Sequence, residues 1–97
     1  MDKKLKKKWV KALRSGQYQQ THGQLRTEEG YCCLGVLCDV MDPTQWKGKK
    51  DHFKWDGALL LLPSDKVLSG NDQTILSNKN DEYESFGMIA DWIEENL

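Results

Sequence analysis

The sequence predicts a small α+β domain with an amphipathic helix at each end, a buried cysteine-rich helix in the middle and a short β-hairpin. The 97-residue length suits a single domain spanning residues 1–97. Apolar residues recur at helical spacing near both ends of the chain, and a nearly continuous apolar run follows two adjacent cysteines. Four Trp, three Tyr and two Phe supply enough apolar area for a core, although the mean hydropathy is -0.72.

The first 33 residues predict one helix and one hairpin. A helix over residues 2–15 is predicted by the helical spacing of Leu5, Trp9, Ala12 and Leu13. Ser15-Gly16 is expected to end this helix. Residues 24–27 and 31–33 predict the two strands of the hairpin, with residues 28–30 as a three-residue turn.

The central helix is predicted over residues 34–41. One face holds Cys33, Val36, Leu37 and Val40, and a second face holds Leu34, Cys38 and Met41. A helix that is apolar nearly all round is expected to be buried. Gly35 costs a helix about 1 kcal/mol relative to Ala, which is tolerable if another backbone approaches closely there. Asp42-Pro43 is expected to end the helix.

Beyond the central helix, the sequence predicts irregular structure before a final helix. Residues 44–57 suggest a long ordered loop or irregular hairpin, and residues 58–62 suggest a short buried strand. A single helical turn, capped by Ser64 or Asp65, is expected to run through Leu68, and residues 71–80 are expected to be rich in turns. The final helix is indicated by the helical spacing of Phe86, Ile89, Ala90, Ile93 and Leu97. Asp81 and Glu84, three positions apart, are expected to cap its first turn.

Charge is distributed unevenly, although the formal net charge of -1 does not suggest a strongly basic nucleic-acid-binding protein. Residues 1–14 carry seven basic side chains and one acidic side chain, whereas residues 81–97 carry six acidic side chains and no basic one. We favour an interpretation in which the terminal helices pack together with complementary charges or the lysines are simply solvated, because exposed charges contribute little individually and a run of Lys is usually a solvated face. The alternative is phosphate binding by the first helix through Lys3, Lys4, Lys7, Lys8 and Lys11.

The cysteines give little support to a catalytic or metal site. Three Cys and two His suffice for zinc by number, but adjacent Cys32 and Cys33 point apart and the usual two-residue spacing is absent. Burial in an apolar helix also raises a thiol pKa and disfavours a nucleophilic thiolate. No catalytic residue, metal ligand or cofactor is therefore predicted, and a small zinc module or a Cys-dependent enzyme is kept as an alternative.

An odd number of cysteines without an export signal suggests reduced thiols in a cytoplasm. The longest apolar run, residues 58–62, is far shorter than the roughly 20 residues of a membrane span, so no membrane association is expected.

The most suggestive group of residues combines aromatic rings with cations. Rings can stack on a base while ammonium groups contact phosphate. On this reasoning the candidate phosphate-binding residues are Arg26, Lys49, Lys50 and Lys54, and the candidate stacking residues are Trp46 and Trp55. The competing interpretation, which we favour slightly for the rings, is packing in the core or in a lid. Trp9 and Trp92 are expected in the core.

Several motifs resemble a family of small uncharacterised phage and prophage proteins. The most distinctive is Tyr-Cys-Cys-Leu-Gly-Val-Leu-Cys-Asp, at residues 31–39. Over nearly the whole chain, the resemblance is carried by residues 9–20, 25–26, 30–39, 62–63, 80–81, Phe86 and 89–93. It implies a genetic setting and no particular catalytic activity.

In that setting, small accessory proteins often act by binding. We therefore expect a non-enzymatic counter-defence factor, located in the cytoplasm of the host cell, that either sequesters a nucleotide immune signal or caps a host defence protein. A homo-oligomer is compatible with this role, since small sequestering proteins commonly assemble symmetrically. The rival hypotheses are nucleic-acid binding through the lysines of the first helix and the zinc or cysteine chemistry described above.

Overall fold

Four helices enclose the core, and two small antiparallel sheets lie beside them in the computed structural model, which describes residues 1–97. The helices are α1 (Lys3–Arg14), α2 (Cys33–Met41), α3 (Gly70–Asp81) and α4 (Phe86–Asn96). The strands are β1 (Arg26–Thr27), β2 (Gly30–Tyr31), β3 (Trp46–Lys47) and β4 (Lys54–Trp55), and β1 pairs with β2 as β3 does with β4. The predicted α+β class is confirmed.

Helix α1 lies close to its predicted bounds. Its first turn is capped by Asp2, whose carboxylate accepts a hydrogen bond of 2.8 Å from the backbone N–H of Leu5. Trp9 and Leu13 are buried against α2 and α4. The indole of Trp9 also donates to the Cys33 carbonyl over 2.9 Å, so this ring links α1 to the start of α2.

Helix α2 forms the centre of the core, as its all-round apolar pattern predicts. Every residue from Cys33 to Cys38 is buried. A Cβ atom at Gly35 would lie 1.9 Å from the Leu25 carbonyl oxygen, a distance that no real side chain tolerates. The condition under which a glycine is tolerable in this helix is therefore met, and the close approach fixes the distance between α2 and the segment leading into β1.

The first hairpin has a tighter turn than predicted. Gly30 belongs to β2 and pairs with Thr27, which leaves only residues 28–29 in the turn. Gly30 is needed there because a Cβ would lie 2.1 Å from the Gln19 carbonyl oxygen. That carbonyl accepts a hydrogen bond from the Tyr31 N–H, so residues 19–21 run alongside β2.

The second hairpin confirms the irregular hairpin predicted within residues 44–57. It follows a single 3₁₀ turn over Pro43–Gln45 and pairs Trp46 with Trp55 and Lys47 with Lys54. Because side chains alternate along a strand, the two Trp lie on one face and the two Lys on the other.

The strand predicted over residues 58–62 is wrong, and so is the helical turn predicted before residue 68. This segment is a loop held by side-chain hydrogen bonds. The amide of Gln73 accepts from the Leu62 N–H and donates to the carbonyls of Ser64 and Leu68. The loop is also held by a backbone hydrogen bond from the Leu25 N–H to the Leu59 carbonyl, and Leu60 stays 55% exposed.

The turn-rich segment predicted over residues 71–80 is also wrong, because α3 occupies it. Ser69 caps this helix by accepting a hydrogen bond from the Asp72 N–H. Its buried residues are Gln73, Leu76 and Asn80, at helical spacing. Two of these three buried residues have amide side chains. The sequence of α3 therefore shows no apolar stripe, although one face of the helix is buried.

Helix α4 matches its prediction except at the cap. Ser85 caps it through a hydrogen bond from the Met88 N–H, whereas the Asp81 carboxylate accepts from the Gly23 N–H. Trp92 is half-buried and lies under the Lys79 ammonium, 5.6 Å from the ring centre, so it sits at the margin of the core. Each of the four helices is shorter or more polar than a membrane crossing requires.

Candidate anion-binding site

The two hairpins meet at the side chain of Arg26. In β1, Arg26 lies opposite Tyr31 of β2, so these side chains share one face of the first hairpin. The guanidinium carbon of Arg26 lies 4.9 Å from the centre of the Tyr31 ring, 5.2 Å from that of Trp46 and 4.3 Å from that of Phe53. We call these four residues the Arg26 site.

Three rings around one guanidinium hold it by cation–π attraction, each contact being worth about 0.5–1 kcal/mol at a partly exposed site. Arg26 is half-buried, makes no ion pair, and its guanidinium donates no hydrogen bond to the protein. The N–H groups of a guanidinium lie in its plane and point outward from its edge. A carboxylate or phosphate at that edge can accept two hydrogen bonds from them at once. The rings thus fix the plane of the cation and leave its donors unused.

A carboxylate on α2 orients the rings without neutralising the arginine. Asp39 accepts hydrogen bonds from the Tyr18 hydroxyl at 2.5 Å and from the Trp46 indole N–H at 3.1 Å. Tyr18 in turn meets Tyr31 edge to face, with ring centres 5.0 Å apart. Asp39 therefore positions two aromatic rings, and the Arg26 charge has no close anionic partner.

The phenol groups of the site stay protonated well above neutral pH. Burial, followed by the hydrogen bond to Asp39, raises the pKa of Tyr18 above its usual range. Burial also raises the pKa of Tyr31, as does the charge of Asp39, while the charge of Arg26 opposes the rise. Both hydroxyl groups are therefore neutral under physiological conditions.

Backbone contacts bring the tip of the second hairpin against the first. The Lys50 carbonyl accepts a hydrogen bond of 3.1 Å from the Glu28 N–H. The side-chain amide of Gln24 donates to the carbonyls of Asp51 and Arg26. The exposed residues Lys49 and Lys50 are consequently carried on a loop beside the turn between β1 and β2.

Only part of the ligand-binding set predicted from the sequence comes together in the structure. Arg26 and Trp46 are in contact, and the loop with Lys49 and Lys50 lies alongside the first hairpin. Lys54 is exposed on the opposite face of its hairpin, because it pairs with Lys47 and not with a tryptophan.

Trp55 is the second predicted residue that does not reach the Arg26 site. It is half-buried against the core, and its indole N–H donates to the Asp42 carbonyl. A stacking role for this ring would therefore require it to leave the core.

The sequence reasoning left Tyr18, Tyr31, Asp39 and Phe53 out of the predicted site. Phe53 precedes Trp55 by two residues, so strand alternation could have placed it on the tryptophan face. Tyr31 lies across the hairpin from Arg26 only in the observed register, because the predicted three-residue turn would have paired it with Thr27. No local signal identifies Asp39, since its two partners come from distant segments.

Charge complementarity between the terminal helices is confirmed on one side of α1. Arg14 forms ion pairs with Asp91 at 2.6 Å and Glu94 at 2.5 Å. Hydrogen bonds to these two carboxylates raise the pKa of Arg14. The Lys6 ammonium donates to the Glu94 carbonyl. The structural interpretation of the charge pattern therefore accounts for the side of α1 that faces α4.

The solvent-facing side of α1 carries four exposed lysines that form no ion pair, which we call the outer lysine face: Lys4, Lys7, Lys8 and Lys11. Lys3, predicted with them from the sequence, lines a groove of about 370 Å³ between α1 and α4, where its neighbours include Val10 and Glu94. Lys7 lies at the border of the outer lysine face and lines this groove as well.

The three cysteines are free and buried. Burial raises the pKa of Cys32 to about 11 and also raises the pKa values of Cys33 and Cys38. Cys32 instead caps α2, its sulfur accepting a hydrogen bond from the Gly35 N–H. The structure brings together no group of three or more His, Cys, Asp or Glu side chains that could hold a metal ion.

The fold and site define a small α+β domain that presents an aromatic-held arginine at its surface. The chain belongs to the family described as Domain of unknown function (DUF8296), whose model matches residues 1–70. Every residue of the Arg26 site lies within the matched part. No curated protein and no solved structure matches the chain. The predicted resemblance to an uncharacterised family is thus confirmed at the level of the domain family.

Proposed function

We propose that this protein is a non-enzymatic phage or prophage binding protein that acts as a counter-defence factor by capping a host defence protein. Arg26 is its central contact and binds a carboxylate or phosphate on the partner's surface. The observation that carries this proposal is the guanidinium held against three rings with none of its donors used by the protein.

The composition of the Arg26 site supports a role in protein recognition. Binding energy at protein interfaces is concentrated in a few residues, among which Trp, Tyr and Arg are enriched. A long side chain that is already ordered loses less conformational entropy when the partner arrives. Arg26 meets this condition because its plane is fixed by the rings before binding.

A protein partner fits the site better than a small nucleotide. Small-molecule sites are concave, with volumes of about 300–1,000 Å³. The four grooves on this protein lie elsewhere, and none is lined by Arg26, Trp46 or the lysines of the second hairpin. A flat, aromatic-rich surface around one cation suits a partner that supplies the enclosing surface itself.

The phage setting rests on the resemblance of the cysteine-rich signature, and the family match supports an uncharacterised domain family. Small phage accessory proteins commonly bind and disable host factors. The sequestering of a nucleotide immune signal is therefore retained as the second form of the proposal, with Arg26 contacting its phosphate.

Affinity purification with three matched baits tests the capping function. The wild-type protein and Lys54→Ala, which removes an exposed cation from the opposite hairpin face, are expected to retain the same host defence protein. Arg26→Ala is expected to lose it. With the purified partner, truncation of a central contact should weaken binding by at least about 2 kcal/mol, or roughly 30-fold. Equal affinity of Arg26→Ala and the wild type would refute the proposal.

A thermal-shift screen against cyclic dinucleotides, cyclic trinucleotides and ADP-ribose tests the nucleotide form. A ligand at 100 times its Kd should stabilise the protein by about 2.7 kcal/mol. Stabilisation of the wild type and Lys54→Ala, but not of Arg26→Ala, would favour a nucleotide ligand over a protein partner. No stabilisation by any of these compounds would remove the nucleotide form and leave the protein-capping form.

A further inference from the structure

We infer that the outer lysine face of α1 is a second binding surface, which contacts the phosphate backbone of nucleic acid without reading its sequence. This surface is separate from the Arg26 site and does not depend on the function proposed for that site. The inference starts from how α1 is oriented in the domain.

Helical geometry gathers the four lysines into one sector. At 100° per residue, Lys4, Lys7, Lys8 and Lys11 fall within an arc of about 100°. That arc is opposite Trp9 and Leu13, which are buried in the core. The fold therefore holds all four ammonium groups on the side of α1 that faces solvent.

None of the four lysines of this surface forms an ion pair within the protein. The ion pairs of α1 are made by Arg14, which faces α4. Of the acidic side chains near α1, Asp2 caps the first turn, and Asp91 and Glu94 form ion pairs with Arg14. The four lysines thus keep their charges although the net charge of the chain is -1.

The stems of the lysines form a shallow track along the helix. A groove of about 330 Å³ is lined only by the four lysines. A second groove shares Lys8 and Lys11 and continues past Ala12 and Gln17 to Val40 on α2. Lys4 and Lys11 are about 10 Å apart along the axis, at 1.5 Å per residue. A linear polyanion can follow such a track and contact several lysines at once.

Nucleic acid fits this surface better than a lipid membrane. A helix that lies on a membrane inserts its apolar face between the lipids. The apolar face of α1 is buried against α2 and α4, which leaves only lysine charge to hold a membrane. A phosphate backbone needs no apolar contact, because release of its condensed counterions supplies the binding free energy.

Sequence preference is not expected. Bidentate contacts to base edges are made best by planar groups such as those of Arg, Asn and Gln, and the outer lysine face offers only flexible point charges. Contacts limited to phosphate fix a protein on the backbone but carry no sequence information. Affinities in the range of about 10⁻⁴–10⁻⁶ M are typical of such binding at physiological salt.

The test is the salt dependence of binding to a fluorescent mixed-sequence DNA duplex, followed by anisotropy. If four phosphates are neutralised, the logarithm of the association constant should fall with the logarithm of salt concentration with a slope of about -3.6. This corresponds to about a 150-fold loss between about 50 and 200 mM salt. Lys4→Gln with Lys8→Gln should reduce the slope to about -1.8.

A charge-matched control separates local contacts from overall charge. Lys47→Gln with Lys66→Gln removes the same two charges from exposed positions outside α1 and should keep the wild-type slope. Arg26→Ala should also keep it, which distinguishes this surface from the Arg26 site. Unchanged circular dichroism would show that each variant folds.

Three outcomes would overturn the inference. The first is no binding to the duplex at low salt, and the second is an equal loss of slope in the two double-lysine variants. The third is binding to vesicles containing phosphatidylserine with no binding to DNA, which would assign the lysines to a membrane instead.

Discussion

The helical part of the domain and its two hairpins hold their side chains by different means. In the helices, Trp9, Leu34 and Ile93 are fully buried and pack in a core of 17 residues. In the hairpins, Trp46 and Trp55 are only half-buried, and hydrogen bonds to Asp39 and to the Asp42 carbonyl fix their rings. Burial positions the first group, whereas polar contacts position the second.

This difference separates stability from recognition. Losses in the core remove hydrophobic free energy and leave cavities or clashes, so they are expected to reach several kcal/mol. Changes at the half-buried hairpin surface remove little buried area and should cost much less. The following predictions test this separation, from the largest expected effect to the smallest.

Gly35→Ala should give the largest loss of stability. The new Cβ would lie 1.9 Å from the Leu25 carbonyl oxygen, which belongs to the backbone and cannot move aside as a side chain would. We expect the free energy of unfolding to fall by about 3 kcal/mol or more. Urea denaturation measures the loss.

The matched control for this change is Gly70→Ala, at the first residue of α3, where a Cβ meets nothing within 4 Å. It should be neutral or stabilise the protein by up to about 1 kcal/mol, because Ala favours helix. Equal stabilities of the two variants would show that the close approach of Leu25 to α2 is unimportant.

Asn80→Ala should give the next largest effect. The Asn80 side chain accepts hydrogen bonds from the Cys33 N–H and the Gln20 amide and donates to the Thr21 carbonyl. Its removal leaves these groups without partners in the interior, at a cost of about 2–4 kcal/mol. Asn78→Ala, at an exposed position of the same helix, should change stability by less than about 0.5 kcal/mol. Equal stabilities of Asn80→Ala and Asn78→Ala would show that the hydrogen bonds of the buried Asn80 amide do not stabilise the fold.

Alkaline pH should weaken the core through its thiols. Because burial raises the folded-state pKa of Cys32 to about 11, the unfolded chain loses this proton at lower pH than the folded protein does. The stability that the protonated Cys32 thiol contributes is therefore fully present below the thiol pKa of the unfolded chain. It is lost as the pH rises toward the thiol pKa of the folded protein. Each buried thiol should lower the stability by up to about 1.4 kcal/mol per pH unit in that range.

Urea unfolding at several pH values between about 8.5 and 9.5 measures this slope below the ordinary tyrosine pKa of about 10, above which Tyr18 and Tyr31 would add to the decline. Cys38→Ala should show a shallower decline than the wild type, since burial also raises the pKa of Cys38. Parallel declines in the two proteins would mean that Cys38 does not contribute.

Arg26→Lys should have the smallest effect on stability. The lysine retains a positive charge near the rings but loses the planar guanidinium, so we expect a cost of about 1 kcal/mol or less. For a domain of this size, that corresponds to a drop in Tm of up to about 4–8 °C in calorimetry. Unfolding of this variant at room temperature would show that Arg26 mainly holds the hairpins together.

The sequence predicts those elements whose buried faces are apolar. Leu5, Trp9 and Leu13 predicted α1 correctly, and the apolar positions from Phe86 to Ile93 predicted α4. Helix α3 was missed because Gln73 and Asn80 form much of its buried face, and hydrophobic periodicity does not register buried amides. The supposed strand at residues 58–62 failed for the complementary reason, since its apolar residues lie in a loop held by Gln73.

The candidate site was predictable only in part. Arg26 and Trp46 could be selected as residue types suited to binding, but their contact depends on how the two hairpins meet. That arrangement is set by hydrogen bonds between separate segments, such as those of the Glu28 N–H with the Lys50 carbonyl and of the Gln24 amide with the Asp51 carbonyl. No local pattern in the sequence encodes them.

The pairing of Lys47 with Lys54 affects how copies of this protein can associate. These lysines lie opposite each other on strands only two residues long, so like charges flank the edges of a very short sheet. Charged, short edges discourage a neighbouring chain from adding a strand and starting a fibril. Self-assembly of the domain is therefore not expected to proceed by extension of this sheet.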